Sequence, residues 1–176
     1  MKLSQLNLVA RAARGATLIV RNIERDVVDD PTHPDHGKNP AYRDANGTPL
    51  VTLTLQGADS RIARKYGYIQ RANGQNRYAS ERAADPTGAS SLMTTPEQLE
   101  ADDERYFLML AEMTMAWTGI EEDDGAPAVL TIDKAYALYA NNNPVYQQAL
   151  RFVDDRADFF AHSLDSSAPS ALTSST

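Results

Sequence analysis

An α+β fold is what this sequence predicts: an N-terminal β-ribbon with one or two helices, then a three-helix unit. Three observations carry that expectation. Residues 49–56, PLVTLTLQ, alternate Val51, Leu53 and Leu55 with Thr52 and Thr54. An alternation of period two is the pattern of a strand with one buried and one wet face. Residues 16–23, ATLIVRNI, are rich in β-branched types and supply a partner strand. After residue 95 the apolar positions instead repeat at three- and four-residue intervals, the mark of helices that bury one stripe.

The elements follow in order. Leu3, Leu6 and Val9 outline a short amphipathic helix within residues 1–14, and Gly15 ends it. Residues 29–48, DDPTHPDHGKNPAYRDANGT, hold three Pro and two Gly among polar residues and read as a long solvated loop between the two strands. Beyond Gly57, Asp59 or Ser60 is placed to cap a helix, because a short polar side chain can accept hydrogen bonds from the free first-turn amides. Ile62, Tyr66 and Ile69 continue it to about residue 72, where Asn73-Gly74 reads as an interruption. Residues 84–95, ADPTGASSLMTT, are small and polar and mark a linker. It divides an N-terminal lobe, 1–83, from a helical lobe, 96–163, and 164–176 reads as a flexible, Ser-rich tail.

Thr95-Pro96-Glu97-Gln98 is a helix start in which Thr caps, Pro needs no amide partner and Gln98 reaches back to the cap. The stripe Leu99, Tyr106, Leu110, Met113 and Trp117 predicts one helix of about 20 residues, stopped by Gly119. On that reading Trp117 is buried against the final helix, near Phe152 or Phe160. Thr131 caps a short helix with Ala135, Leu138 and Tyr139 inward, and Asn143-Pro144 opens the last one. Its stripe is Val145, Ala149, Phe152, Val153, Ala157 and Phe160.

Composition narrows the function classes. The net charge of −7 argues against a surface that tracks phosphates, so nucleic acid is not expected as a partner. Arg residues gather before residue 83 and acids after 96, a dipolar pattern that reads first as solvated surface and only second as a face for a charged partner. The absence of Cys removes thiol catalysis, disulfides and thiolate metal sites, and fits a reducing compartment. No apolar run has transmembrane length, and MKLSQLNLVARAARG does not read as a signal peptide, so no membrane is expected and the product should stay in the cell that makes it.

Catalytic and metal signatures fail one by one. His33 and His36, with Asp29, Asp30 and Asp35, match no structural zinc spacing. Asp44-Ala45-Asn46-Gly47 begins like a calcium loop but lacks the later acids. Glu121-Glu122-Asp123-Asp124 sit beside a turn glycine and read as a solvated cluster, not as a buried pair suited to acid–base work. His162 suits the end of the last helix, where a cation is favoured. No nucleophile elbow, phosphate loop or dinucleotide fingerprint occurs. The expectation is a protein that is not an enzyme, with no cofactor and no metal.

Two groups of motifs occur in a telling order. The first is Arg14-Gly15-Ala16-Thr17-Leu18, Asn46-Gly47-Thr48-Pro49, and Leu55-Gln56-Gly57-Ala58-Asp59-Ser60-Arg61. The second is Ala116-Trp117-Thr118-Gly119, Asp124-Gly125-Ala126-Pro127, Asn143-Pro144 and Phe159-Phe160. Their order and spacing, over roughly residues 14–62 and 105–160, resemble the tail assembly chaperones of long-tailed bacteriophages. The resemblance implies a non-enzymatic protein that binds the tape measure protein, keeps it soluble and recruits tail tube subunits. It also implies that Asp59, Ser60, Arg61, Trp117, Gly119, Phe152 and Phe160 are motif or partner-binding positions, with self-association an added possibility. The alternative expectation is a minor tail or connector component kept in the virion.

Overall fold

The computed structural model describes residues 8–84 and 95–155. Eight elements follow one another: α1 (Leu8–Ala13), β1 (Ala16–Ile19), β2 (Thr52–Leu55), α2 (Arg61–Ala84), α3 (Pro96–Met113), β3 (Thr114–Thr118), α4 (Ile132–Asn141) and α5 (Asn143–Asp154). The α+β class holds. The ribbon is wider than expected, however, because the strands form one antiparallel sheet in the order β1-β2-β3. The segments on either side of residues 84–95 therefore share a sheet.

The alternation in β2 sets the two faces of that sheet. Leu53 and Leu55 are fully buried. Leu18 and Trp117 stand opposite Leu53 on the neighbouring strands, so all three side chains point into the core. The other face is a threonine surface. The hydroxyls of Thr17 and Thr54 lie 3.4 Å apart, and those of Thr52 and Thr118 lie 2.9 Å apart.

One expectation fails here. The helix that starts at Pro96 stops at Met113, and residues 114–118 are strand. Trp117 thus lies on β3, opposite Leu53, and not on a helix against Phe152. Its indole N–H donates to the Ala128 carbonyl at 2.8 Å. The physical reason is local and tertiary together. The Thr114 hydroxyl bonds back to the Leu110 carbonyl at 2.7 Å, and its N–H reaches the Leu110 and Ala111 carbonyls, which closes the helix. The next residues then satisfy the open edge of β2, whose unpaired amides and carbonyls need a partner. Register slips at Thr54/Leu55, with Met115 as the extra residue of a bulge.

The caps read from sequence are present. Thr95 and Gln98 form the reciprocal capping box, with bonds of 3.4 and 3.0 Å. Thr131 accepts from the Lys134 amide. The last helix, read from sequence as opening at Asn143-Pro144, is capped by Asn142, which the sequence reading did not assign and which accepts from the Val145 amide. Ser60 caps α2 through the Ala63 amide at 3.2 Å. Asn73-Gly74 does not interrupt that helix, which continues unbroken to Ala84.

The core gathers Leu53 and Leu55 from the sheet with Leu110, Met113, Ala135, Tyr139, Ala149 and Val153 from α3, α4 and α5. Phe107 meets the edges of Tyr136 and Tyr146 at 6.0 and 4.8 Å between ring centres. Tyr139 is fully buried, and its hydroxyl lies 2.8 Å from the Thr114 hydroxyl. Because Thr114 already donates to Leu110, Tyr139 is the donor of that pair. Burial pushes the Tyr139 phenol up to about 12. Leu99, expected on the inner stripe of α3, is 56% exposed.

Candidate partner-binding cleft

The segment expected to be a solvated loop is organised by one buried carboxylate. The Asp35 side chain is wholly shielded from solvent. Its Oδ1 accepts from Arg21 Nη1 at 2.7 Å and Arg43 Nη2 at 2.8 Å. Its Oδ2 accepts from Arg43 Nε at 2.9 Å and the Ala41 amide at 3.1 Å. Arg43 thus grips the carboxylate with two parallel bonds, the geometry that best matches guanidinium to carboxylate. The hydrogen bonds from Arg43 outweigh the cost of burial and hold Asp35 well below the usual carboxylate range.

Arg21 joins this clasp to the helices. Its amide donates to Gln148 Oε1 at 2.8 Å, and its carbonyl accepts from Gln148 Nε2 at 2.9 Å. The amide of a glutamine on α5 therefore takes the place of a neighbouring strand. The Asn39 carbonyl also accepts from Arg21 Nη1, at 2.8 Å.

Two similar hairpins stand at the same end of the sheet. In one, the Asp44 amide donates to Thr48 and the Gly47 amide to Asp44, both at 3.0 Å. In the other, the Glu122 amide donates to Ala126 at 2.8 Å and the Gly125 amide to Glu122 at 2.9 Å. Both glycines take φ of +80°, a value that Gly adopts without a Cβ penalty. The bases of the hairpins touch where Gly119, at φ +71°, lies against the Leu50 carbonyl. A Cβ on Gly119 would fall 2.1 Å from that oxygen. Gly119 is thus a close-approach residue beside β2 and not a helix stop.

Between the clasp and the junction of α4 with α5 lies a cleft of about 350 Å³. Val20, Val51, Ile120, Leu138 and Val145 form an apolar wall, Arg21, Asn22, Glu24, Asn142 and Gln148 add polar groups, and Ile23 and Tyr42 also line it. Ile23 and Tyr42 are 48% and 45% exposed. Leu50, 48% exposed, pairs with Tyr42 through its amide at 2.7 Å, which places both side chains on one face of the hairpin.

The structure divides the residues that the motifs single out. Asp59, Ser60 and Arg61 lie in the turn that opens α2, at the other end of the sheet. The neighbouring Ala58 amide there donates to the Val153 carbonyl at 3.2 Å, beside Phe152 on α5. Ser60 is buried, Arg61 is exposed, and Asp59 is 3.8 Å from Arg64. Phe152 is partly buried against the core. Trp117 and Gly119 belong to the cleft end, and Phe160 lies outside the described residues. The predicted residues therefore do not converge on one site. Val20, Ile23 and Tyr42, which shape the cleft, carry no motif, and Val145 was signalled only as the first position of the last helix's apolar stripe.

Asp35 is committed to two arginines and is not available as a ligand, and the four acids of 121–124 are exposed, with Glu122 paired to Lys134. Among the described residues no group of His, Asp or Glu is arranged to hold a metal ion. No described helix is long and apolar enough to cross a membrane. No family model matches the chain, and neither a curated protein nor a solved structure shows significant similarity to it.

Proposed function

We propose that this protein is a tail assembly chaperone of a long-tailed bacteriophage, one that holds the tape measure protein in soluble form in the host cytoplasm and helps recruit tail tube subunits. The observation that carries the reading is the cleft whose apolar wall is Val20, Val51, Ile120, Leu138 and Val145, with the half-exposed Ile23 and Tyr42 also lining it. Contiguous apolar surface of this kind marks an interaction site. A helical partner that exposes an apolar stripe can lay side chains into such a groove. The motifs behind the resemblance support it further, because Asn46-Gly47-Thr48-Pro49 and Asp124-Gly125-Ala126-Pro127 form the two matching hairpins at this end. Contacts of this type release as readily as they form, which suits a helper that leaves the finished tail.

Co-expression with the tape measure protein of the same phage tests the reading. Soluble yield of the tape measure should rise, and the two proteins should co-purify. Changing Ile23 and Tyr42 together to Asp should remove both effects while the fold persists, because both side chains are about half exposed. If the tape measure is equally soluble alone, and purified virions hold this protein in whole-number copies per tail, it is instead a minor tail or connector component.

A further inference from the structure

The outer face of α2 carries a second, chemically different surface. The helix has six basic residues against one acid, Glu81, in a chain whose net charge is −7. Arg61, Arg64, Tyr68, Arg71, Gln75, Tyr78 and Arg82 follow one another at strictly alternating three- and four-residue steps, and all seven are exposed. That spacing lines them along one seam of a helix, over about 32 Å of axis at 1.5 Å per residue. Within the chain this face is engaged near its start, where Arg64 lies 3.8 Å from Asp59. Among the described residues of α2, only Tyr66 is buried. A helix polar on nearly every side gains little from packing, so its persistence over 24 residues leaves a face with surface to spare. Tyr68 and Tyr78 are 64% and 52% exposed. Arg71 lies 5.9 Å from the Tyr68 ring centre, and Arg82 donates to the Tyr78 hydroxyl at 3.2 Å. These pairs hold the guanidiniums and phenols in one row.

We propose that this seam docks a helix of a partner protein that carries Asp or Glu at alternating three- and four-residue spacing. Each seam arginine can grip a carboxylate with two bonds, and each tyrosine hydroxyl can donate to one. The spacing is that of two helices packed lengthwise, which a partner of the same period meets without changing shape. A nucleic acid is a poorer match. The row is one helix wide, and α3, packed beside it, bears six acids against Arg105, so a uniform polyanion meets repulsion at its flank. A second copy is also a poorer match. Glu97, Glu100 and Glu104 are the acids of α3 that share this spacing and are exposed, and they span only a third of the seam. The inference stands independently of the chaperone reading, because the seam and the apolar cleft share no residue.

The test uses the full chain and a labelled 24-residue helical peptide with Glu at the alternating positions, followed by fluorescence anisotropy. A peptide with Gln at those positions and a 24-nucleotide single-stranded DNA serve as comparisons. The Glu peptide should bind at least tenfold more tightly than either, and binding should weaken as salt rises from about 50 to about 300 mM. The variant R64E/R71E/R82E should lose at least tenfold in affinity with an unchanged melting temperature. Arg→Gln changes at the same three positions are the substitute if charge reversal disturbs folding. The proposal is overturned if the Glu peptide does not bind, if the Gln peptide or the DNA binds as well, or if the variants bind like the parent. Concentration-dependent self-association that R64E/R71E/R82E abolishes would also overturn it, by showing a second copy on the seam.

Discussion

The helical core and the clasped loop are built on opposite principles. Around Leu110 and Tyr139, apolar side chains from α3, α4, α5 and the sheet exclude water, and the few polar groups there, such as the Thr114 hydroxyl, are bonded within the core. From Arg21 to Leu50 the apolar side chains face outward, and a single buried carboxylate with two arginines holds the chain. The first arrangement gives stability. The second gives shape, since the same clasp positions Arg21 and Tyr42 around the cleft. The difference teaches that the surface proposed to meet a partner is set by a polar network and not by an extension of the core.

Substitutions graded by size can break or sharpen that contrast. Leu110→Ala should have the largest effect, about 4 kcal/mol, because it opens a cavity beneath every helix of the core. Thermal unfolding should remain one transition at a lower temperature. Gly119→Ala should follow at about 3 kcal/mol, from the strain of a positive φ and the clash with Leu50 where the two regions meet. Proline or β-branched residues there should be worse still, as chemical denaturation would show.

Asp35→Asn should cost about 2 kcal/mol, less than for a fully buried pair, because both arginines retain access to water. Its mark is local. The amides of Asn22, Val28 and Ala41 should exchange faster with deuterium, while those of α3 and α5 should not. The same clasp sets a pH dependence. Asp35 titrates below its unfolded range, so its contribution is complete above about pH 4 and is lost as pH falls from there toward its depressed folded value. Asp35→Asn should flatten that part of the acid profile. Tyr139→Phe should have the smallest effect, about 1 kcal/mol, since Thr114 keeps its own bond to Leu110 when the phenol is lost.

How much could be read beforehand follows the same division. The caps at Ser60, Thr95 and Thr131 and the inward faces of α4 and α5 rest on contacts within one turn, and they were legible. The end of α3 was not. The stripe Leu110, Met113 and Trp117 suits a helix, and only the open edge of β2, some sixty residues earlier, turns residues 114–118 into strand. Nor was the clasp legible, because Arg21, Asp35 and Arg43 are spaced by no motif, and a Pro-rich polar stretch has the composition of a solvated loop. The cleft stayed hidden for the same reason, since its walls come from five separate places in the chain. The basic seam of α2 was written in plain spacing, yet a search for apolar periodicity passes over it.

The link between clasp and partner is the claim most open to direct test. Asp35→Asn should be co-expressed with the tape measure protein, and retention of the tape measure on the purified variant measured beside its melting temperature and amide exchange. The account predicts an intact core, a loosened segment from Asn22 to Arg43, and at least a tenfold loss of retained tape measure. Full retention by a variant whose Asn22, Val28 and Ala41 amides exchange freely would contradict it, and would show that partner binding does not depend on the cleft the clasp shapes.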